Sequence, residues 1–150
     1  MKREEKISRQ AREERQERQG CECMNENSIA AIIVDTSVRI HAELGPGLLE
    51  NAYESVLAFE LGKQGLSVER QVPIPLVWRG MMIEDSFRAD IIINKKVIIE
   101  VKSIEKVNPV HKKQVLTYLR LTGMKLGLLL NFGEVLMKNG IFRVVNGLEE

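Results

Sequence analysis

From Ile29 onward the hydrophobic positions of this chain change period twice. Ile29, Ile32, Ile33, Ile40 and Leu44 recur at helical spacing and predict a helix from about Ser28 to Leu44. Asn27 or Ser28 is its expected N-cap, and Gly45-Pro46-Gly47 is its stop. Leu49, Ala52, Tyr53, Val56 and Leu57 predict a second helix from about Leu48 to Gln64, ended by Gly65. The period then shortens. Leu66 to Trp78 reads as an extended edge or irregular strand marked by Pro73 and Pro75. Arg79-Gly80 is a turn into a strand from about Met81 to Ile93, and Asn94-Lys95-Lys96 is a short loop into Val97–Lys102. Pro109 opens a helix to about Leu121, followed by apolar strands at Lys125–Asn131 and Ile141–Val145. The order is αα-βββ-α-ββ. A right-handed crossover through the third helix would make the flanking strands parallel in a mixed sheet with helices packed on it.

Composition changes this picture only at the ends and in the charge distribution. The chain has 150 residues, 44% hydrophobic and 29% charged, which suits one globular domain. Residues 1–23 carry 7 Lys/Arg and 6 Asp/Glu with almost nothing apolar, and are expected as a solvated, disordered tail with transient helicity. Met24 stands directly before the first patterned segment and is a candidate natural start, leaving residues 24–150 as the domain. The net charge of +1 by itself implies no polyanionic partner. Its distribution is uneven: Met24–Asn94 holds 5 Lys/Arg against 10 Asp/Glu, and Lys95–Arg143 holds 10 against 3. The first stretch could bind a cation and the second could face a polyanion, although such asymmetry is common on solvated surfaces. Cys21 and Cys23 lack a second Cys/His pair for zinc and read as free thiols. No apolar run reaches the ~18 residues of a membrane span, and the N-terminus lacks the apolar core of a signal peptide, so the expected location is cytoplasmic.

The candidate chemistry lies in SFRADIIINKKVIIEVKS. Asp90, Glu100 and Lys102 interrupt strands otherwise made of Ile and Val. A lone buried charge is expensive, so such residues are paired, metal-bound or outward-facing. If Ile93 pairs with Val97, Asp90 falls opposite Glu100, and period two places Lys102 on Glu100's face. Facing carboxylates repel unless a cation joins them. Carboxylate oxygens, a carbonyl and waters are the ligands magnesium prefers, and a bound metal activates water toward a phosphodiester. Lys102 could reach that water or the phosphate. The bland alternative is a solvent-facing Glu–Lys pair beside an exposed Asp.

Two more elements bear on that choice. Glu50 begins the second helix, where the dipole alone favours a carboxylate; it could also project to the metal as a further ligand, with Glu54 one turn on as its substitute. Gln114 and Tyr118 stand one turn apart on the third helix, where each could equally be an ordinary surface or core residue.

Glu50, Asp90, Glu100-x-Lys102 and Gln114-x3-Tyr118 together resemble the PD-(D/E)XK nuclease superfamily, the Gln/Tyr element resembling its RecB-type branch. NENSIAAIIVDTSVRIHAELGPGLLENAYE and HKKQVLTYLRLTGMKLGLLLNFG look like the bacterial GxxExxY proteins. The resemblance spans about residues 24 to 145; Ala89 stands where the superfamily motif often has Pro. It implies an α/β fold with a restriction-endonuclease-like αβββαβ core, a mixed sheet flanked by helices, and an extra N-terminal helix. It also implies Asp90 and Glu100 as metal ligands, Lys102 as catalytic lysine, Glu50 as helix-borne acid, and Gln114 and Tyr118 as supporting or substrate-contacting residues. The activity it implies is hydrolysis of nucleic acid, DNA being the expected polymer, with Mg2+ or Mn2+.

His111, Lys112 and Lys113 could touch a phosphate backbone or form a plain solvated face. His41 reads as a boundary residue, and Trp78 as a core-edge residue that could instead stack on a base. The competing function is a binding module, for nucleic acid or protein, that keeps the fold without turnover.

Overall fold

The computed structural model describes residues 2–149, with the side chains of residues 2–4, 17–22 and 85 outside the description; Cys21 is therefore not described, and Cys23 is exposed. Residues read as a tail carry helix α1 (Lys2–Glu22), whose described side chains from 5 to 16 all face solvent. Among its described side chains none is buried, and local support comes from pairs such as Arg9–Glu13 at 3.0 Å.

Helix α2 (Glu26–Leu44) starts earlier than the periodicity suggests, because Asn25 is the cap: its side chain accepts from the Ser28 amide at 2.8 Å. Ile29, Ile33 and Ile40 are buried as expected, while Leu44 is exposed. Helix α3 (Glu50–Lys63) begins after Leu49, which occupies the cap position and points outward rather than inward. His41 is core rather than boundary: it is buried, with Nε2 at 2.8 Å from the Glu134 carbonyl oxygen.

Five strands, β1 (Val68–Trp78), β2 (Met81–Ile93), β3 (Val97–Lys102), β4 (Leu126–Asn131) and β5 (Ile141–Val145), form one sheet in sequence order. Helix α4 (Pro109–Thr122) links β3 to β4, and that pair is the parallel one; the other neighbours are antiparallel. Helices α2 and α3 cover one face and α4 the other. This explains the unbroken Ile, Val and Leu of β3 and β4: they are the inner strands, buried on both sides. Ile93 pairs with Val97, as the short Asn94–Lys96 loop predicts. The other hairpin turns through Arg79 (φ 46) and Gly80 (φ 81), a two-residue turn of the kind that matches strand twist. Trp78 at its tip is 57% exposed, with Arg79 over the ring at 5.2 Å, so it is not a core-edge residue.

Strands β1 and β2 share a change of face, in addition to the register shift between Ile74 and Leu76. Ile91, Ile93 and Val68 pack in the core under α2 and α3, whereas Val72, Ile74, Phe87 and Ala89 pack in the core under α4. Strict alternation would keep Ala89 with Ile91. Both strands therefore change face within one step. The β1–β2 register pairs Arg70 with Ile91 and Val72 with Ala89, passing over Gln71 and Asp90. Gln71 absorbs the change with a left-handed backbone, φ 50.

Candidate functional site

Asp90 and Glu100 meet where the β2–β3 ladder stops. The β2–β3 pairing ends at Ile91–Ile99, one residue short of them. Beyond it, side chains replace the ladder: the Asp90 amide donates to Glu100 Oε1 at 3.2 Å, and the Val101 amide donates to Asp90 Oδ2 at 2.9 Å. Glu100 is only 4% exposed. Burial, and then the neighbouring Asp90 charge, push its carboxyl up to about 8. Burial also raises Asp90, against the opposing hydrogen bond from Val101. Lys102 is half-buried, and its charge lowers both carboxyls, but among the described residues it forms no ion pair.

The helix-borne acid beside this pair is Glu54, not Glu50. Glu50 is exposed at the first position of α3, where Oε1 accepts from the Ser103 amide at 3.4 Å. Ser103 Oγ in turn donates to the Leu48 carbonyl at 2.6 Å, so Glu50 helps tie the start of α3 to the end of β3. One turn on, Glu54 is buried and faces the row of Gln71 and Asp90. Gln71 Nε2 lies 2.9 and 3.0 Å from the two Glu54 oxygens and 3.3 Å from Asp90 Oδ1. Arg70 Nε pairs with Glu54 at 3.3 Å. Glu54 is also the α3 charge that Asp90 feels. Tyr53, three residues after Glu50, is structural: it stacks on Phe132 at 4.5 Å, donates to the Gly45 carbonyl and accepts from the Leu48 amide at 3.2 Å.

From the opposite face α4 presents Tyr118, 2% exposed and edge-on to Phe87 at 5.7 Å. Its hydroxyl oxygen accepts from Gln114 Nε2 at 2.6 Å. Burial pushes the pKa of this hydroxyl up, and the charges of Glu100 and Asp90 add to the rise, which places the hydroxyl within their field. The structure thus gathers Asp90, Glu100, Lys102, Tyr118 and Gln114, adds Glu54 through Gln71, and leaves Glu50 outside.

The basic residues of α4 have mixed duties. His111 Nδ1 accepts from the Asn108 amide at 3.1 Å and completes a capping box. Lys112 Nζ lies 4.1 Å from the Phe142 ring centroid, and Lys113 is exposed. Gln71 and Asn131 carry no signal in the sequence. Asn131 is fully buried, accepts from the Ile104 and Gly133 amides at 3.1 Å each, and donates to the Ile104 carbonyl at 2.9 Å, holding the segment after Lys102.

Among the described residues no three His, Cys, Asp or Glu side chains form a metal shell by themselves. Asp90 and Glu100 nevertheless fit a hard divalent cation. They are a buried and a half-buried oxygen donor whose ionisation is opposed by burial and by neighbouring carboxylate charge, and a dication relieves both penalties. Among the described residues no helix is long and apolar enough to cross a membrane. Residues 27–144 match the family model of the PD-(D/E)XK nuclease superfamily. No curated protein and no solved structure matches the chain.

Proposed function

The chain belongs to the PD-(D/E)XK nuclease superfamily, and from that premise we propose that it hydrolyses phosphodiester bonds of nucleic acid, DNA first, with Mg2+ or Mn2+. Within the superfamily we assign it to the GxxExxY proteins, on Gly47-x2-Glu50-x2-Tyr53, and to the RecB-type branch, on Gln114-x3-Tyr118. The observation that carries the reading is the buried Glu100 hydrogen-bonded to the half-buried Asp90, a pair that no cationic side chain joins in an ion pair among the described residues.

Asp90 and Glu100 are the residues to hold the metal, which supplies charge neutralisation at the phosphate and an acidified water. The chain's own residues do the rest. The Val101 and Asp90 amides fix the two carboxylates, so little reorganisation accompanies ligand entry. Lys102 acts on both carboxyls through its charge and forms no ion pair among the described residues, so its ammonium is suited to the scissile phosphate or the attacking water. Glu54 extends the acidic row, and Tyr118, oriented by Gln114, offers a hydroxyl close to it. Lys113, Lys112 and the half-buried His111 stand in the first turns of α4, where they would meet the phosphate backbone.

The test is cleavage of single-stranded DNA, duplex DNA and RNA with manganese, by wild type and by Lys102→Ala. Manganese-dependent cutting that falls by at least about 100-fold in the variant, with binding retained, supports the reading. Binding of nucleic acid without any cutting by wild type favours a non-catalytic module instead.

A further inference from the structure

We propose that Gln71 is a positioning residue for the metal ligands, a role that rests on the metal-binding reading above and adds to it a residue outside the Asp90, Glu100, Lys102 motif. Gln71 sits inside a strand with φ 50, a left-handed conformation that is unfavourable for a non-glycine residue and persists only where something else holds it. What holds it is visible on both sides of the sheet.

The face change at Gln71 and Asp90 lies between two packing environments, the α3 side that carries Glu54 and the α4 side that carries Glu100 and Tyr118. A regular strand would direct neighbouring side chains to one face or the other. At the crossover, one exposed amide reaches both, donating to Glu54 and to Asp90 Oδ1. Asp90 is therefore gripped at two points, Gln71 on Oδ1 and the Val101 amide on Oδ2. The second grip is main chain and survives any side-chain substitution. The first depends on Gln71 alone. Groups that orient a metal ligand from behind typically govern affinity by 10- to 100-fold. A neutral donor is also the residue type the place requires. A cation would compete with the metal for Asp90, and a carboxylate added to Glu54, Asp90 and Glu100 would increase repulsion in its absence.

The test is manganese affinity, measured by calorimetry on the full chain, for wild type, Gln71→Met, Gln71→Ala and Gln71→Glu. Gln71→Met keeps the side-chain length and removes the donor, and the exposed position tolerates it. Weakening of manganese binding by about 10-fold or more in Gln71→Met and Gln71→Ala is the expected result. Gln71→Glu is expected to lower the metal-free melting temperature while giving a larger manganese-induced rise than wild type, which loss of a merely structural contact does not produce. Unchanged manganese affinity in both neutral variants, with wild type binding normally, overturns the role of Gln71 and leaves the metal site standing. Absence of manganese binding by wild type overturns the metal site and this role with it.

Discussion

Asp90 and Glu100 are joined through each other's backbone rather than through the sheet. The Asp90 amide donates to Glu100 Oε1 at 3.2 Å, and the amide after Glu100, that of Val101, donates to Asp90 Oδ2 at 2.9 Å. Two carboxylates thus replace the ladder of β2 and β3 at the row where it would next close. Buried carboxylates near each other destabilise a fold unless they are protonated or share a cation. The amides lower that cost without removing it, since both carboxyls still sit above their ordinary values.

Stability without metal should therefore fall as pH rises. Glu100 moves from an ordinary 4.5 to about 8, so between these values the folded chain holds a proton that the unfolded chain has released. That contribution is fully present below about pH 4.5, declines through the interval and is exhausted above about pH 8. At 1.36 kcal/mol per unit its full span is on the order of 5 kcal/mol. Urea denaturation at pH 5, 6.5 and 8 in EDTA measures it, and Glu100→Gln should flatten the dependence. A slope that survives in Glu100→Gln would place the proton on another group.

Manganese should reverse the same trend. A ligand that binds only the folded state stabilises it by RT ln(1 + [L]/Kd), about 2.7 kcal/mol at a hundredfold excess. The effect should grow toward pH 8, where the carboxylates ionise, and vanish in Asp90→Ala. An equal thermal shift in Asp90→Ala would locate the metal elsewhere.

Much of the fold was legible because its signals are local. The period change after Gly65, the short Asn94–Lys96 loop and Pro109 mark elements whose order and pairing hold, including the parallel β3–β4 pair. Asp90 opposite Glu100 was legible for the same reason: the loop fixes the register. Gln71 was not. A strand that changes face through one left-handed residue has the same alternation count as a straight one, and only tertiary packing shows where Ala89 leaves the side of Ile91. Glu50 against Glu54 fails for a related reason. The two stand one turn apart on one helix face, and the choice depends on how far α3 slides along the sheet, which helical periodicity does not encode.

Glu54 and Glu50 consequently make opposite predictions. Glu54→Gln removes the charge nearest Asp90 on the α3 side and should reduce cleavage by about 100-fold or more. Glu50→Gln changes an exposed side chain with one long hydrogen bond to Ser103, and should cost less than about tenfold. Metal-dependent turnover of the two purified variants decides the matter. A larger loss in Glu50→Gln would mean that α3 shifts when substrate binds.

Packing behind the site supplies a test independent of chemistry. Gly127, in the buried strand β4, lies directly beneath α4, and a Cβ there would run into Val115 Cγ1. Val115 is itself fully buried, so it cannot swing into solvent. Gly127→Ala should destabilise the fold by about 1 to 3 kcal/mol through overpacking. Val115→Ala should cost a comparable amount through lost burial and a cavity. In the double variant the new methyl occupies the space vacated by the valine, so the combined loss should be smaller than the sum by at least about 0.5 kcal/mol. Chemical denaturation of the four proteins closes this cycle. Additive losses would show that α4 and β4 do not touch at this point, and the path by which α4 sets Tyr118 against Glu100 would need another anchor.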